Sequence, residues 1–201
     1  MSRREPSVSA DRDTQARAAL LLARWWSRPT TEEVEDWAEL WPAATAAAGA
    51  LELDAGPLEE LSAALARSDA GALLYEYERL LNGPGRPPCA PYESLWRTDL
   101  PAQEHGMLMT SAADAVQALC RALGLKLRTE PHELPDHLLV EWEALAYALD
   151  RGATDVSDAL LRDHLVHWMP PFCQAVSEAT SEPFYTQLAA LTPVWTAALS
   201  G

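Results

Sequence analysis

The run PFYTQLAALTPVWTAALSG, Pro183 to Gly201, is the longest stretch of the chain without a charged residue. Its length approaches the ~20 residues of a membrane-spanning helix. It also holds Gln187, Pro193 and several Thr, and its large apolar residues recur at helical spacing. The run therefore reads as a terminal core helix, with membrane anchoring as the alternative.

The remainder of the chain speaks the same language. Ala and Leu dominate its 201 residues and β-branched residues are few. This mixture favours helix, because Ala and Leu lose little side-chain entropy there. A composition of 48% hydrophobic and 22% charged residues is that of a folded domain long enough for a sizeable core. Eight Trp are many for this size and suit a core or a recognition groove.

Signals of helix start and stop divide the chain. Residues 1–12 are polar and read as a disordered tail, ahead of one domain over residues 13–201. A first helix is expected over Asp13–Ser27, stopped by Pro29. Thr30 and Glu33 have capping-box spacing and start a second helix that ends near Trp41-Pro42. An Ala-rich connection then leads to Gly56-Pro57. Helices over Leu58–Arg67 and Asp69–Leu81 follow, the latter with Asp69 as N-cap. Asn82–Pro101, dense in Pro and Gly, is the longest loop, a length often tied to function. A fifth helix spans Gln103–Leu123 and ends at Gly124, and a loop over Lys126–Leu134 leads to a helix over Pro135–Asp150. Val156–Trp168, a break at Pro170-Pro171, and helices from Phe172 and Pro183 complete the chain. No segment alternates with period two. The expected fold is an all-α, single-domain helical bundle of about eight or nine helices.

Charge and motifs exclude several functions. Fifteen basic against 30 acidic residues give a formal charge of −15, which repels nucleic acid and anionic membranes and attracts basic segments. Cys89, Cys120 and Cys173 are odd in number and widely spaced, so they suggest buried thiols in a reducing compartment. Arg3-Arg4 has no apolar run after it, which argues against an export signal and for the cytoplasm. His132-Glu133-Leu134-Pro135-Asp136-His137 approaches the HExxH zinc motif, but its histidines are five apart with Pro135 between. His164 and His167 lack an evident third ligand. Gly83-Pro84-Gly85-Arg86 lacks the lysine of a phosphate loop. No catalytic constellation emerges and no cofactor is called for. A metal-dependent enzyme using His132, His137 and His164, or a purely structural adaptor, stands as the alternative class.

Four segments in order carry a family resemblance. Tyr77-Glu78-Arg79-Leu80-Leu81-Asn82-Gly83-Pro84-Gly85 with Pro91-Tyr92-Glu93-Ser94 resembles the loop signature of the TorD/DmsD redox-enzyme maturation chaperones. Pro135-Asp136-His137-Leu138, with Glu141 one turn on, resembles that family's most diagnostic motif. Leu161, His164, Leu165, Trp168, Pro170 and Phe172 are similar to its late-helix pattern. The Leu20–Glu33 stretch is similar as well. Leu81 stands where Phe is expected, Trp96 where Tyr is common, and Cys89-Ala90 replaces a Ser-containing run.

The resemblance implies a TorD-like, non-catalytic cytoplasmic chaperone. Its partner would be the catalytic subunit of a molybdopterin-containing oxidoreductase, bound through its twin-arginine signal peptide until cofactor insertion is complete. A related alternative is the nitrate-reductase branch of the family, which binds a redox subunit that is not exported. The resemblance also allows a domain-swapped homodimer.

Client-binding candidates are Pro135, Asp136, His137 and Glu141 as a polar patch for the guanidinium groups. Pro135 is expected to start the helix, which would put Asp136 in its first turn, where the helix dipole alone also explains a carboxylate. His137 and Glu141 are spaced to pair locally. Tyr75, Tyr77, Leu81, Tyr92 and Trp96 are candidates for an apolar wall, with core packing as the alternative for each. An exposed ion pair contributes about 0.2–1 kcal/mol, whereas a buried Leu or Phe contributes about 1.5–3 kcal/mol. An apolar groove would thus hold the peptide, and charge would select it.

Overall fold

The computed structural model describes residues 8–126 and 134–201. Residues 1–7 of the expected tail, most of the Lys126–Leu134 loop, and His132 and Glu133 of the HExxH-like stretch lie outside the described residues. Ten α-helical segments occur in order: α1 Val8–Trp25, α2 Thr31–Glu39, α3 Trp41–Ala50, α4 Gly56–Leu65, α5 Ala70–Tyr77, α6 Ser111–Ala122, α7 Leu138–Asp150, α8 Thr154–Ala159, α9 Val166–Ala179 and α10 Pro183–Ser200. A π-helical stretch, Leu160–Leu165, joins α8 to α9 without interruption. Counted as one rod, these give an all-α bundle of nine helices among the described residues, without a sheet.

Helix α10 lies in the core, packed on α9, α4 and α1. Its buried Thr192 and Thr196 do not demand water, because each hydroxyl bonds the carbonyl four residues back, at Leu188 and Thr192, at 2.7 Å. Trp26 Nε1 donates to Thr192 Oγ1 at 3.0 Å and ties α1 to α10. Trp25 packs against Trp41 and Trp195, and Trp37 stacks on Phe184 with ring centroids 5.2 Å apart. Helix α1 runs along α7 on one side and touches α3 on another. Among the described residues, no helix is long and apolar enough to cross a membrane.

Local signals fix several boundaries. Thr30 and Glu33 form the reciprocal capping box at the start of α2. Asp69 caps α5 by accepting from Gly71 N and Ala72 N. Gly124, at φ +74°, follows α6.

The sequence reading needs correction in five places. Helix α1 begins at Val8, five residues ahead of Asp13. The Ala-rich stretch is helix α3: Pro42 sits in its first turn, where a missing N–H costs nothing, and Ala44, Ala47 and Ala48 are buried. Helix α6 starts at Ser111, not Gln103, because the chain turns at Gly106 (φ +70°) and Met109 (φ +58°). Helix α7 starts at Leu138, with His137 as N-cap, so Pro135 and Asp136 precede the helix. Pro170-Pro171 is no break, since α9 runs through it. Pro170 lies on the exposed side, where water can meet the carbonyl it leaves unpaired, and Trp168, Met169, Phe172 and Cys173 keep the other side buried.

Candidate functional site

The long loop leaves the bundle through a π-helical turn, Glu78–Asn82, that continues α5. Gly83 closes this turn, and a Cβ there would meet the Glu78 carbonyl oxygen at 3.0 Å. Arg28 holds Glu78 at 2.6 Å, and Arg79 holds the buried Glu76 at 2.7 Å while donating to the Ala179 carbonyl at 2.6 Å. Both glutamates are lowered from the ordinary carboxylate range, chiefly by these arginine bonds. The loop is pinned back where Cys89 N donates to the Leu80 carbonyl at 2.9 Å.

Next the loop runs beside the turn that precedes α7. Glu93 N donates to the Asp136 carbonyl and Leu138 N to the Pro91 carbonyl, both at 2.9 Å, making an isolated antiparallel bridge between Tyr92 and His137. The Tyr92 and His137 rings meet edge to face at 5.3 Å. His137 Nδ1 accepts from Leu139 N and so starts α7. Burial holds the His137 imidazole at about 4, neutral at physiological pH.

Behind this bridge lies a buried polar cluster. Glu93, Asp136 and Glu141 are each fully buried. Arg97 donates to Glu93, to both oxygens of Asp99, and to the Asp163 carbonyl at 2.7 Å. Asp99 is held at about 2, first by its bonds from Arg97. His164 Nδ1 lies 2.8 Å from the second Glu93 oxygen. Trp168 Nε1 donates to Glu141 at 3.1 Å. Burial, then the charges of Glu93 and Asp136, raise Glu141 well above the usual carboxylate range. Asp136 Oδ2 accepts both the N–H and the hydroxyl of Ser94, and Ser94 Oγ lies 2.7 Å from Thr110 Oγ1.

Outside the cluster opens a groove of about 530 Å³. Its apolar lining is Leu81, Pro87, Ala90, Tyr92, Leu95 and Leu108, and Arg86 stands at its edge. The adjoining turn exposes Met107, Leu108 and Met109, at 55%, 45% and 57% of their surface. Three apolar side chains in a row facing water is unusual beside a groove unless something covers them.

The structure sorts the candidate residues into three places. Leu81 and Tyr92 line the groove. Pro135, Asp136, His137 and Glu141 lie buried behind it, so they form no exposed polar patch, and His137 meets Leu139 N where Glu141 meets Trp168. Tyr77 is in the core, Trp96 donates to the Ala90 carbonyl at 2.8 Å while packing on Phe172, and Tyr75 is 71% exposed on α5. Pro87, Leu95 and Leu108 are lining residues absent from the sequence reading. His164 and His167 each face a carboxylate, Glu93 and Asp99, and no group of three potential metal ligands occurs among the described residues.

Comparison with known proteins agrees with this architecture. The family described as nitrate reductase delta subunit matches residues 47–174. The Tat proofreading chaperone DmsD of Salmonella typhi is 27% identical over 157 residues, 78% of this chain and 70% of that one. Its counterpart from Salmonella paratyphi A is 25% identical over the same shares. A solved chain from Archaeoglobus fulgidus, described as a redox enzyme maturation protein, superposes with a TM-score of 0.59 over 97% of this chain and 96% of its own, at 22% identity. That last likeness is one of fold.

Proposed function

The chain belongs to the nitrate reductase delta subunit family, which takes in the TorD/DmsD-type chaperones of redox-enzyme precursors, and from that premise we propose that its groove receives a twin-arginine signal peptide. In this reading the client is the catalytic subunit of a molybdopterin-containing oxidoreductase. The protein holds it in the cytoplasm until its cofactor is in place, and catalyses nothing itself. The observation that carries the reading is the apolar groove of about 530 Å³ beside the exposed Met107-Leu108-Met109 turn.

The energetics suit a peptide with an apolar run. Micromolar binding needs about 8 kcal/mol net, which burial of several apolar side chains supplies and exposed ion pairs do not. Methionines suit such a surface, because an unbranched thioether adapts to different apolar sequences. The charge of −15 favours a basic partner. Within this reading Leu81 and Tyr92 contact the peptide. Pro135, Asp136, His137 and Glu141 serve binding through the loop they hold, and Tyr75, Tyr77 and Trp96 frame its base.

Titration of purified protein with a synthetic peptide bearing the client's twin-arginine leader tests this. The expected result is saturable binding that weakens in high salt. A second reading, assembly of a redox subunit that is not exported, takes its support from the family description. It is favoured if a client binds equally well with and without its leader. Failure of leader and client alike to bind sinks both.

A further inference from the structure

We propose that Thr110, Ser94 and Asp136 form a positioning chain that sets the two loops lining the groove against one another, without touching what the groove holds. The proposal rests on the groove being the client site. Two loops supply the lining in question: Ala90, Tyr92 and Leu95 from one, Gly106 and Leu108 from the other. Ser94 sits in the first and Thr110 ends the second. Their hydroxyls lie 2.7 Å apart, both residues are buried, and neither belongs to the groove lining.

The chain of bonds has a direction. Asp136 Oδ2 accepts from the Ser94 backbone at 3.0 Å and from the Ser94 hydroxyl on the same oxygen. With its proton so directed, Ser94 Oγ is left to accept, and Thr110 Oγ1 donates to it. Asp136 is itself fixed from the other side, since its carbonyl accepts Glu93 N at 2.9 Å. One buried residue thus holds the first loop by three bonds and the second loop through one more.

The second loop needs holding. Met109 lies at φ +58°, a left-handed conformation that a side chain with a Cβ resists. It is exposed, so burial does not compensate for the strain. On its far side Glu104 accepts the Ser111 N–H and hydroxyl at 2.8 and 2.7 Å. Thr110 is the tie on the inner side, toward Ser94. Asp136 Oδ1, meanwhile, is buried and meets no hydrogen-bond donor among the described residues.

Thr110→Val removes the hydroxyl at almost constant volume, and Thr110→Ser restores it. A peptide of two adjacent arginines followed by leucines and alanines serves as probe. Thr110→Val is expected to bind it about fivefold more weakly, the loss of one hydrogen bond, and Thr110→Ser to stay within about twofold of the unmodified protein. Amide hydrogen exchange should quicken over residues 92–96 and 106–111 in the Val variant alone, with α1 and α10 unchanged. Unchanged exchange in both loops overturns the chain, as does faster exchange with undiminished binding. If the unmodified protein ignores the probe, the functional reading fails, and the exchange comparison still decides whether the chain holds the loops.

Discussion

Two buried regions of this molecule meet at Phe172, whose ring lies 5.3 Å from Trp26 on one side and 5.4 Å from Trp168 on the other. Toward Trp26 the interior is aromatic and aliphatic: Trp25, Trp37, Phe184, Tyr185 and Trp195 fill the space among α1, α2 and α10. Toward Trp168 it is polar and rich in ionisable groups, with Glu141, Glu93, Asp136, Arg97 and His164 close together. The first region is held by burial, which has no direction and tolerates many solutions. The second is held by hydrogen bonds that work in one geometry and carry a desolvation cost. A bundle needs only the first to fold. The second is worth its cost where an irregular loop must keep one shape, and it lies under the groove.

The largest expected effects come from opening one region or the other. Trp37→Ala leaves a cavity against Phe184 and is expected to cost about 3–5 kcal/mol in urea unfolding. Arg97→Met takes the guanidinium from one oxygen of the buried Glu93, leaving His164 on the other, and is expected to cost about 3–5 kcal/mol. Their effects on leader-peptide binding, measured where both variants remain folded, should diverge: Trp37→Ala binds normally and Arg97→Met weakly. The reverse outcome would erase the distinction between the regions.

A pH titration sharpens the same contrast. Glu141 is raised well above 4.5, so the native state keeps a proton that the unfolded chain releases. Stability therefore falls as pH rises from 4.5 toward the raised value. His137 acts oppositely: held at about 4 against an ordinary 6.5, it lets the unfolded chain take up protons first. Its stabilisation is complete above pH 6.5 and is lost as pH falls from 6.5 to 4. From pH 4.5 upward the two slopes oppose one another, and a variant that cannot titrate at position 141 separates them. Glu141→Gln keeps an acceptor for Trp168 Nε1 but cannot titrate, so its urea midpoint should lose that slope. A slope equal to the unmodified protein's would mean that Glu141 is ionised in the fold.

Smaller again is the effect of Leu108→Ala. Leu108 is 45% exposed, so covering it is worth roughly 1 kcal/mol, about fivefold in peptide affinity. Global stability should barely move. Unaltered binding with this variant would detach the exposed turn from the groove's function.

The two regions were unequally legible in the sequence. The aromatic region is written locally: helical spacing in 183–201, the Thr30–Glu33 capping box and the Asp69 cap each depend on neighbours a turn away. The charged region is not. Spacing suggested that His137 pairs with Glu141, whereas Asp136 finds its partner in Ser94, 42 positions back, and Glu93 finds His164, 71 positions on. Motif resemblance brought these segments together without saying that they were buried. Leu108 was hidden because residues 103–110 read as helix. Gly106 and the Thr110-Ser111 start signal before an Ala-rich run were the clues to a turn there. Pro42 and Pro170 were both read as helix stops, whereas one starts a helix and the other is tolerated inside one by the burial of its neighbours.

The smallest effect concerns the peptide's arginines, and it tests where the charge of the molecule acts. Asp136 and Glu141 are fully buried, so neither carboxylate is offered to a guanidinium at the surface. Arg86 at the groove edge is itself cationic. The field of the acidic molecule, whose formal net charge is −15, attracts the arginines instead. Such exposed pairs are worth about 0.2–1 kcal/mol each and are screened as the Debye length falls from about 10 Å in 0.1 M salt to 3 Å in 1 M. Replacing one peptide arginine by glutamine should therefore weaken binding by about fivefold or less at 0.1 M salt and hardly at all at 1 M. A leucine-to-alanine change in the apolar run should cost the same or more at high salt, because burial is not screened. An arginine effect that persists in 1 M salt would require a buried, hydrogen-bonded carboxylate at the site. The charged region would then have to open on binding, and its separation from the groove would not stand.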